Sequence, residues 1–319
     1  MPDCILVTGS SGFLGAWVVR DLLARGIPFV MFDRDPDLRR LEDLIPSLTG
    51  NLAVVSGDIS DVETVRGAME AHGVTAVIHL AGLQIPTCKA DPLAGARVNV
   101  LGTLAVFEAT RELGTVRQIV YASSAAVIGR EEDYAPGIVP NDAVLKPATH
   151  YGVFKQCNEG NARVYFQDHG ISSVGLRPWT VYGLGRDQGV TSDATQAIKA
   201  AWLGKPFTFR YSGRNAIQYA GDVAAVFVMC ALDRRKAAAT FNLRGEVVEM
   251  REYIAAIEAQ CPQARGMLTL SGDPIPVACD LDDRDLQAFL PDLPRTPLAE
   301  GIRETVAMFA ELRQRGRLA

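Results

Sequence analysis

From Cys4 to Gly26 the chain reads "CILVTGSSGFLGAWVVRDLLARG": a β-branched apolar run, three glycines at Gly9, Gly12 and Gly15, then an amphipathic stretch. Few folds accept that order. A strand ending at Thr8 and a helix beginning near Gly12 leave the glycines at the turn between them. There Gly9 permits a tight turn, Gly12 lets backbone approach a pyrophosphate, and Gly15 lets the helix lie close against the strand. The open amides and positive end of such a helix favour an anion.

The same rhythm continues to about residue 176. Strand patterns "PFVMFD", "LAVVSGD", "AVIHLAG", "RQIVYASS" and "SSVGLRP" alternate with helical ones such as "DVETVRGAMEAHG", with polar-faced segments of the "ALDRRKAAA" kind further on. Strand, helix, strand repetition predicts an α/β fold with a doubly wound parallel sheet covered on both faces. Ligands bind such sheets at the carboxyl ends of the strands. Two longer helical patterns, over 91–114 and 150–170, hold more apolar residues than one core needs, so a homodimer through helices around 92–113 and 150–169 is expected. Beyond 176 the rhythm weakens. A loop over "GLGRDQGVTSD", a helix through "ATQAIKAAWLGK", a helix in "QYAGDVAAVFVMCALD" returning to the sheet and a closing helix from "TPLAEGIRETVAMFAELRQRG" follow. The expected division is a dinucleotide-binding domain over 1–176, rejoined by 215–245, and a substrate-binding cap over 177–214 and 246–319.

Totals narrow the functions. With 319 residues, 48% hydrophobic, and a formal charge of -5, the chain has core enough for this fold and no charge excess to attract nucleic acid or an anionic membrane. Its longest apolar run, around "VAAVFVMCAL", is roughly half of the ~20 residues a bilayer span needs, and Asp3 and Gly9 interrupt any leader pattern. The six cysteines lack CxxC spacing and the four histidines lack ligand spacing, so neither a disulfide framework nor a metal site is expected. A reducing cytoplasm is the expected location.

Two further constellations join the glycine turn. Asp33, closing "VMFD" about twenty residues after the glycines, stands where a carboxylate accepts hydrogen bonds from an adenosine ribose and repels a 2′-phosphate. That favours NAD over NADP, although Arg34 beside it could hold such a phosphate. Asp58 and Ile59 follow the third strand beside the expected adenine, and "HLAG" brings Leu80, Ala81 and Gly82 to the cofactor's middle. Tyr151 and Lys155 in "HYGVFK" share one helix face. An ammonium near the phenol lowers its pKa from about 10 and fits it for general base or acid work. Upstream, "YASS" ends a strand with Ser123 and Ser124, either of which can bond the reacting oxygen.

Taken together, "VTGSSGFLG", "HLAG", "NVLGT", "YASSAAVIG", "YGVFK", "LRPWTVYGLG", "QYAGDVA" and "TPLAEGIRETV" resemble the extended short-chain dehydrogenases/reductases, the NAD-dependent epimerase/dehydratase group, over nearly the whole chain. The resemblance implies a Rossmann-like fold, a bound nicotinamide cofactor and a Ser/Tyr/Lys site in which Ser124 rather than Ser123 is the catalytic hydroxyl. It also places Ser11, Phe13, Leu14, Asn99 and Pro178 among the cofactor residues, with Asn99 alternatively only stabilising its helix.

Departures from the family's pattern choose among its reactions. Ala125 and Ala126 stand where the 4,6-dehydratases carry an Asp-Glu pair, so dehydration is not expected. Nucleotide-sugar epimerases clamp the diphosphate with two arginines; here "NAIQYAGD" offers Asn215, with Arg214 one residue away, and "LTLSGD" offers Leu270 and Ser271. Each charge-assisted contact contributes about 1.5–3 kcal/mol, so lacking two removes roughly two to four decades of affinity, unless Arg186, Arg210 or Arg244 substitutes. The expected activity is NAD-dependent dehydrogenation of a small polyhydroxy substrate, with nucleotide-sugar 4-epimerisation as the alternative. Intact Ser124, Tyr151 and Lys155 argue against a dinucleotide sensor without turnover. Expected substrate contacts are Gln84, Ser124, Ala125, His150, Thr180, Arg186 and Thr191.

Overall fold

Ile5 and Val7 of strand β1 (Ile5–Thr8) face one hydrophobic core and Leu6 faces another. A strand buried on both faces reads as a continuous apolar run, which is why "ILV" shows no alternation. The computed structural model describes residues 3–48 and 51–318. In it β1 lies between β2 (Phe29–Asp33) and β4 (Ala76–His79), with β3 (Val54–Ser56) beyond β2. On the other side follow β5 (Gln118–Ala122), β6 (Ser173–Arg177) and, from far along the chain, β10 (Ala238–Asn242). All seven strands are parallel, in the order β10-β6-β5-β4-β1-β2-β3. Direction of winding reverses between β1 and β4, and the crevice that ligands use in such sheets opens at the carboxyl ends there.

One face is covered by α1 (Phe13–Ala24), α2 (Arg39–Leu44) and α9 (Ala220–Leu232); the other by α3 (Val62–Ala71), α6 (Gly102–Leu113) and α7 (His150–His169). The helical pattern over 91–114 is not one regular helix. After α4 (Ile85–Ala90) come α5 (Pro92–Ala96), a wide π-helical turn at Arg97–Leu101, and then α6. The cause is side-chain competition for one carbonyl: Asn99 O accepts from Thr103 Oγ1 and from Asn158 Nδ2, each at 2.8 Å. Such turns recur at functional sites.

"ALDRRKAAA" is not helical either. α9 stops at Leu232, Arg235 folds back onto Asp233 at 2.7 Å, and the chain enters β10 at Ala238. Of the stretch 215–245, α9 and β10 join the main sheet, whereas β9 (Arg214–Tyr219) pairs with β7 (Thr180–Tyr182) and β11 (Glu246–Glu249) in a separate three-stranded sheet. The rest comprises α8 (Asp193–Trp202), the parallel pair β8 (Phe207–Phe209) and β12 (Leu268–Leu270), α10 (Met250–Gln260), α11 (Arg284–Phe289) and α12 (Leu298–Gln314). Among the described residues no helix is long and apolar enough to cross a membrane.

Candidate active site

The glycine turn is built by close approach. Gly9 has φ +69°, and a Cβ there would lie 2.6 Å from Ala81 N; one on Gly15 would lie 2.2 Å from Gly9 O. Gly12 begins α1 with no side-chain cap, so the first amides of the helix face the crevice with the turn's backbone beside them. That is the chemistry of a pyrophosphate seat, and a side chain at Gly12 would narrow it, its Cβ meeting Gly9 O at 3.0 Å. Phe13 and Leu14 form its first turn. Asp33 ends β2 and accepts from Ser11 N at 2.9 Å and Arg34 N at 2.9 Å, while the exposed Arg34 guanidinium pairs with Asp35. Asp58 accepts from Ser60 N and Oγ, which hold its carboxyl below the usual range. Ile59 is buried against Gly102.

Thr8, closing β1, receives Leu80 N on its carbonyl and Ala81 N on its hydroxyl, which fixes the backbone leading to Gly82. Nothing in the sequence singles out His79. It spans Thr8 and Thr103 at 2.7 and 3.1 Å, and burial, with Lys155 second, pushes its pKa down to about 3. The Asn99 amide accepts from Leu83 N at 2.7 Å and donates to Leu83 O at 3.0 Å, so it braces the loop after β4. A Cβ at Gly82 would crowd this amide at 3.0 Å and Lys155 Nζ at 3.7 Å.

Thr149 caps α7 by accepting from Gly152 N at 3.1 Å, and the helix then carries Tyr151 and Lys155 to the end of β5. The two adjacent serines separate there. Ser123 donates to Glu159 Oε1 at 2.5 Å, whereas the Ser124 hydroxyl accepts from Ala126 N at 3.1 Å. Pro178 O takes Ala125 N at 3.0 Å, tying the serine turn to the end of β6. Lys155 Nζ donates to Ala122 O at 2.6 Å and lies 5.5 Å from the Tyr151 ring centroid. Burial lowers Lys155 to about 8. Burial raises the Tyr151 phenol, and the groups that pull it back are the Ser124 hydroxyl and the Arg186 guanidinium.

A glycine-turn seat, a carboxylate at the end of β2 and a Ser/Tyr/Lys cluster now stand at one switch point. The family model described as "NAD dependent epimerase/dehydratase family" matches residues 5–243. The chain belongs to that family. It is 36% identical over 203 residues to the UDP-glucose 4-epimerase of Azospirillum brasilense, a match covering 62% of this chain and 55% of that one. It is 35% identical over 161 residues to the D-erythronate dehydrogenase of Cupriavidus necator, covering 49% of this chain and 48% of that one. The chain thus spans about half the length of the curated relatives it matches. The solved UDP-glucose 4-epimerase of Thermus thermophilus, a complex with NAD, shares its fold at TM-score 0.80 and 26% identity, covering 96% of this chain and 99% of that one.

Within this family member the expected substrate contacts divide. Thr180 is fully buried and donates to Asn215 Oδ1 at 2.7 Å, so both belong to the core between β7 and β9. His150 stacks on Phe154 one helical turn along α7. Ala125 is buried at the start of a short 3₁₀ turn. Gln84, Arg186 and Thr191 do come together: Arg186 Nη2 donates to Thr191 Oγ1 at 3.0 Å, and Gln84 Oε1 lies against Gly189 of the same loop. That loop is fastened over the glycine turn. Trp17 Nε1 donates to Leu184 O at 2.9 Å, and Arg40 reaches Ser11 O, Gly185 O and the Asp187 carboxylate.

Sequence reasoning missed Glu159, which forms a buried bidentate pair with Arg177 at 2.9 and 2.8 Å. Its spacing of four from Lys155 and eight from Tyr151 puts all three on one face of α7, and that periodicity was the available signal.

Proposed function

We propose that the protein is an NAD-dependent oxidoreductase that transfers hydride between a small polyhydroxy compound and the nicotinamide. One observation carries this reading: Arg210, Arg214 and Arg244, three of the four arginines that could clamp a diphosphate, are already engaged. Arg210 pairs with Asp193 at 2.7 Å, Arg244 with Asp280 at 2.8 Å, and Arg214 with Asp280 and Glu131. Asn215 is buried where the resemblance to nucleotide-sugar epimerases places an arginine. Freeing Arg210 for a diphosphate would leave the almost fully buried Asp193 carboxylate with only the Arg210 backbone N–H of its present partners.

In this reading Gly9, Ser11, Gly12, Phe13, Leu14 and Gly15 hold the pyrophosphate. Asp33 takes the adenosine ribose and disfavours a 2′-phosphate, which makes NAD preferred over NADP. Asp58, Ile59, Leu80, Ala81, Gly82 and Pro178 line the remainder of the cofactor's path. Bound NAD supplies the acceptor for the hydride leaving the carbinol carbon. Tyr151 phenolate takes the hydroxyl proton, Ser124 donates to the same oxygen, and Lys155 fixes the ribose and the end of β5. Exposed Leu93, Leu101, Val153 and Val164 on α5, the π turn and α7 support a homodimer through these helices.

Nucleotide-sugar 4-epimerisation is the second reading, and the 36% identity to a UDP-glucose 4-epimerase fits it at least as well as the first. Nicotinamide absorbance with a panel of free aldoses, sugar acids and polyols separates the two. Steady NADH formation supports the oxidoreductase. Silence across the panel, with cofactor retained through purification and UDP-hexoses interconverted, would replace it with the epimerase.

A further inference from the structure

Every cap-side arginine named above has a carboxylate partner except one. Arg186 reaches only a hydroxyl, Thr191 Oγ1, through Nη2, and its Nε is buried without any hydrogen-bond partner. Its guanidinium carbon lies 5.6 Å over the Phe13 ring, and Gly189, held at φ +85°, brings the Gln84 amide up beside it. A guanidinium cannot shed its proton, so a buried unpaired N–H is costly until an anion meets it. Besides Asp187, the titratable groups acting on it are the Tyr151 and Tyr211 phenols, both raised by burial.

We propose that Arg186 is the seat for a carboxylate of the substrate, with Thr191 and Gln84 bracing it, so that the substrate is a polyhydroxy acid of the aldonate class. The inference rests on the oxidoreductase reading and narrows it. A planar carboxylate fits the guanidinium fork through two parallel hydrogen bonds, which a neutral polyol cannot do. The carboxylate is not consumed. It anchors, while the hydroxyl proton goes to Tyr151 and the hydride leaves its carbon for the nicotinamide.

The test compares four- to six-carbon aldonates with the matching neutral alditols and lactones on the wild-type protein, Arg186→Gln and Arg186→Lys, with NAD affinity measured separately by calorimetry. The expected result is turnover of an aldonate by the wild type, a KM for it raised about 10- to 100-fold in Arg186→Gln, partial recovery in Arg186→Lys, and NAD affinity unchanged. Equal use of acids and neutral alditols overturns the proposal while leaving the oxidoreductase standing. Loss of NAD affinity in Arg186→Gln also overturns it, assigning the guanidinium to the cofactor's pyrophosphate above Phe13. No NADH from any of these with UDP-hexose interconversion intact removes the oxidoreductase reading and this proposal with it.

Discussion

Gly152 stands so close to the serine turn that a Cβ on it would lie 2.2 Å from Ala126 O. Backbone meets backbone there, and this approach is what brings the first turn of α7, with Tyr151, against Ser124. Gly152→Ala therefore has to push α7 away. The fold retains its other contacts, so the expected outcome is a kcat lowered by about tenfold or more through misplaced groups, with NAD binding little changed. Single-turnover rates and NAD titration of the same preparation check it.

Removing only the phenol oxygen tests the chemistry itself. Tyr151→Phe is expected to lower kcat on the order of 10²–10⁴-fold, the range for losing a positioned proton acceptor, without loss of thermal stability. Normal turnover in this variant would sink the assignment of Tyr151.

Lys155 makes stability depend on pH in a definite direction. Its pKa is about 8 in the fold against an ordinary 10.5, because burial disfavours the ammonium. Between those values the unfolded chain holds the extra proton, so this group's penalty is complete below about pH 8 and fades as pH rises toward 10.5. Relative to Lys155→Met, the wild type should gain on the order of 3 kcal/mol from neutral pH to about pH 10.5. Urea unfolding of both proteins across that range measures the difference, and a gap independent of pH would refute the buried-ammonium account.

Glu159→Gln leaves Arg177 charged among Asn141, Asn242 and a neutral amide, with the two side chains only 9% and 6% exposed. A loss of about 3–5 kcal/mol is expected. Adding Arg177→Met should restore much of it, since removing both charges leaves none stranded. Urea unfolding of the single and double variants measures both steps, and a double variant no more stable than Glu159→Gln would show that the pair's value lies elsewhere.

What could be read in advance was local. Gly9, Gly12 and Gly15, the alternation through Arg177, and Tyr151 with Lys155 are all near neighbours in the chain, and their spacing alone reports strand, turn or helix face. The unread features depend on distant partners. The π turn exists because Asn158 reaches Asn99 O from another helix. Thr180 looks like a loop hydroxyl until β9 arrives to bury it beside Asn215. Arg210, Arg214, Arg244 and Arg186 are the same residue type, and only Asp193, Asp280 and Glu131 from other segments distinguish the three that are occupied from the one that is not.

The late arrival of β10 and α9 has a consequence for anyone wishing to cut this gene. Ending the chain after β6, where the alternating pattern stops, would bare the edge of the main sheet along Ser173–Arg177 and strip α9 from the face shared with Trp17 and Val18. An exposed parallel edge beside an uncovered apolar helix invites association between fragments. A minimal module built on the seven-stranded sheet is therefore not a prefix of this sequence; it would have to be stitched from two separated pieces.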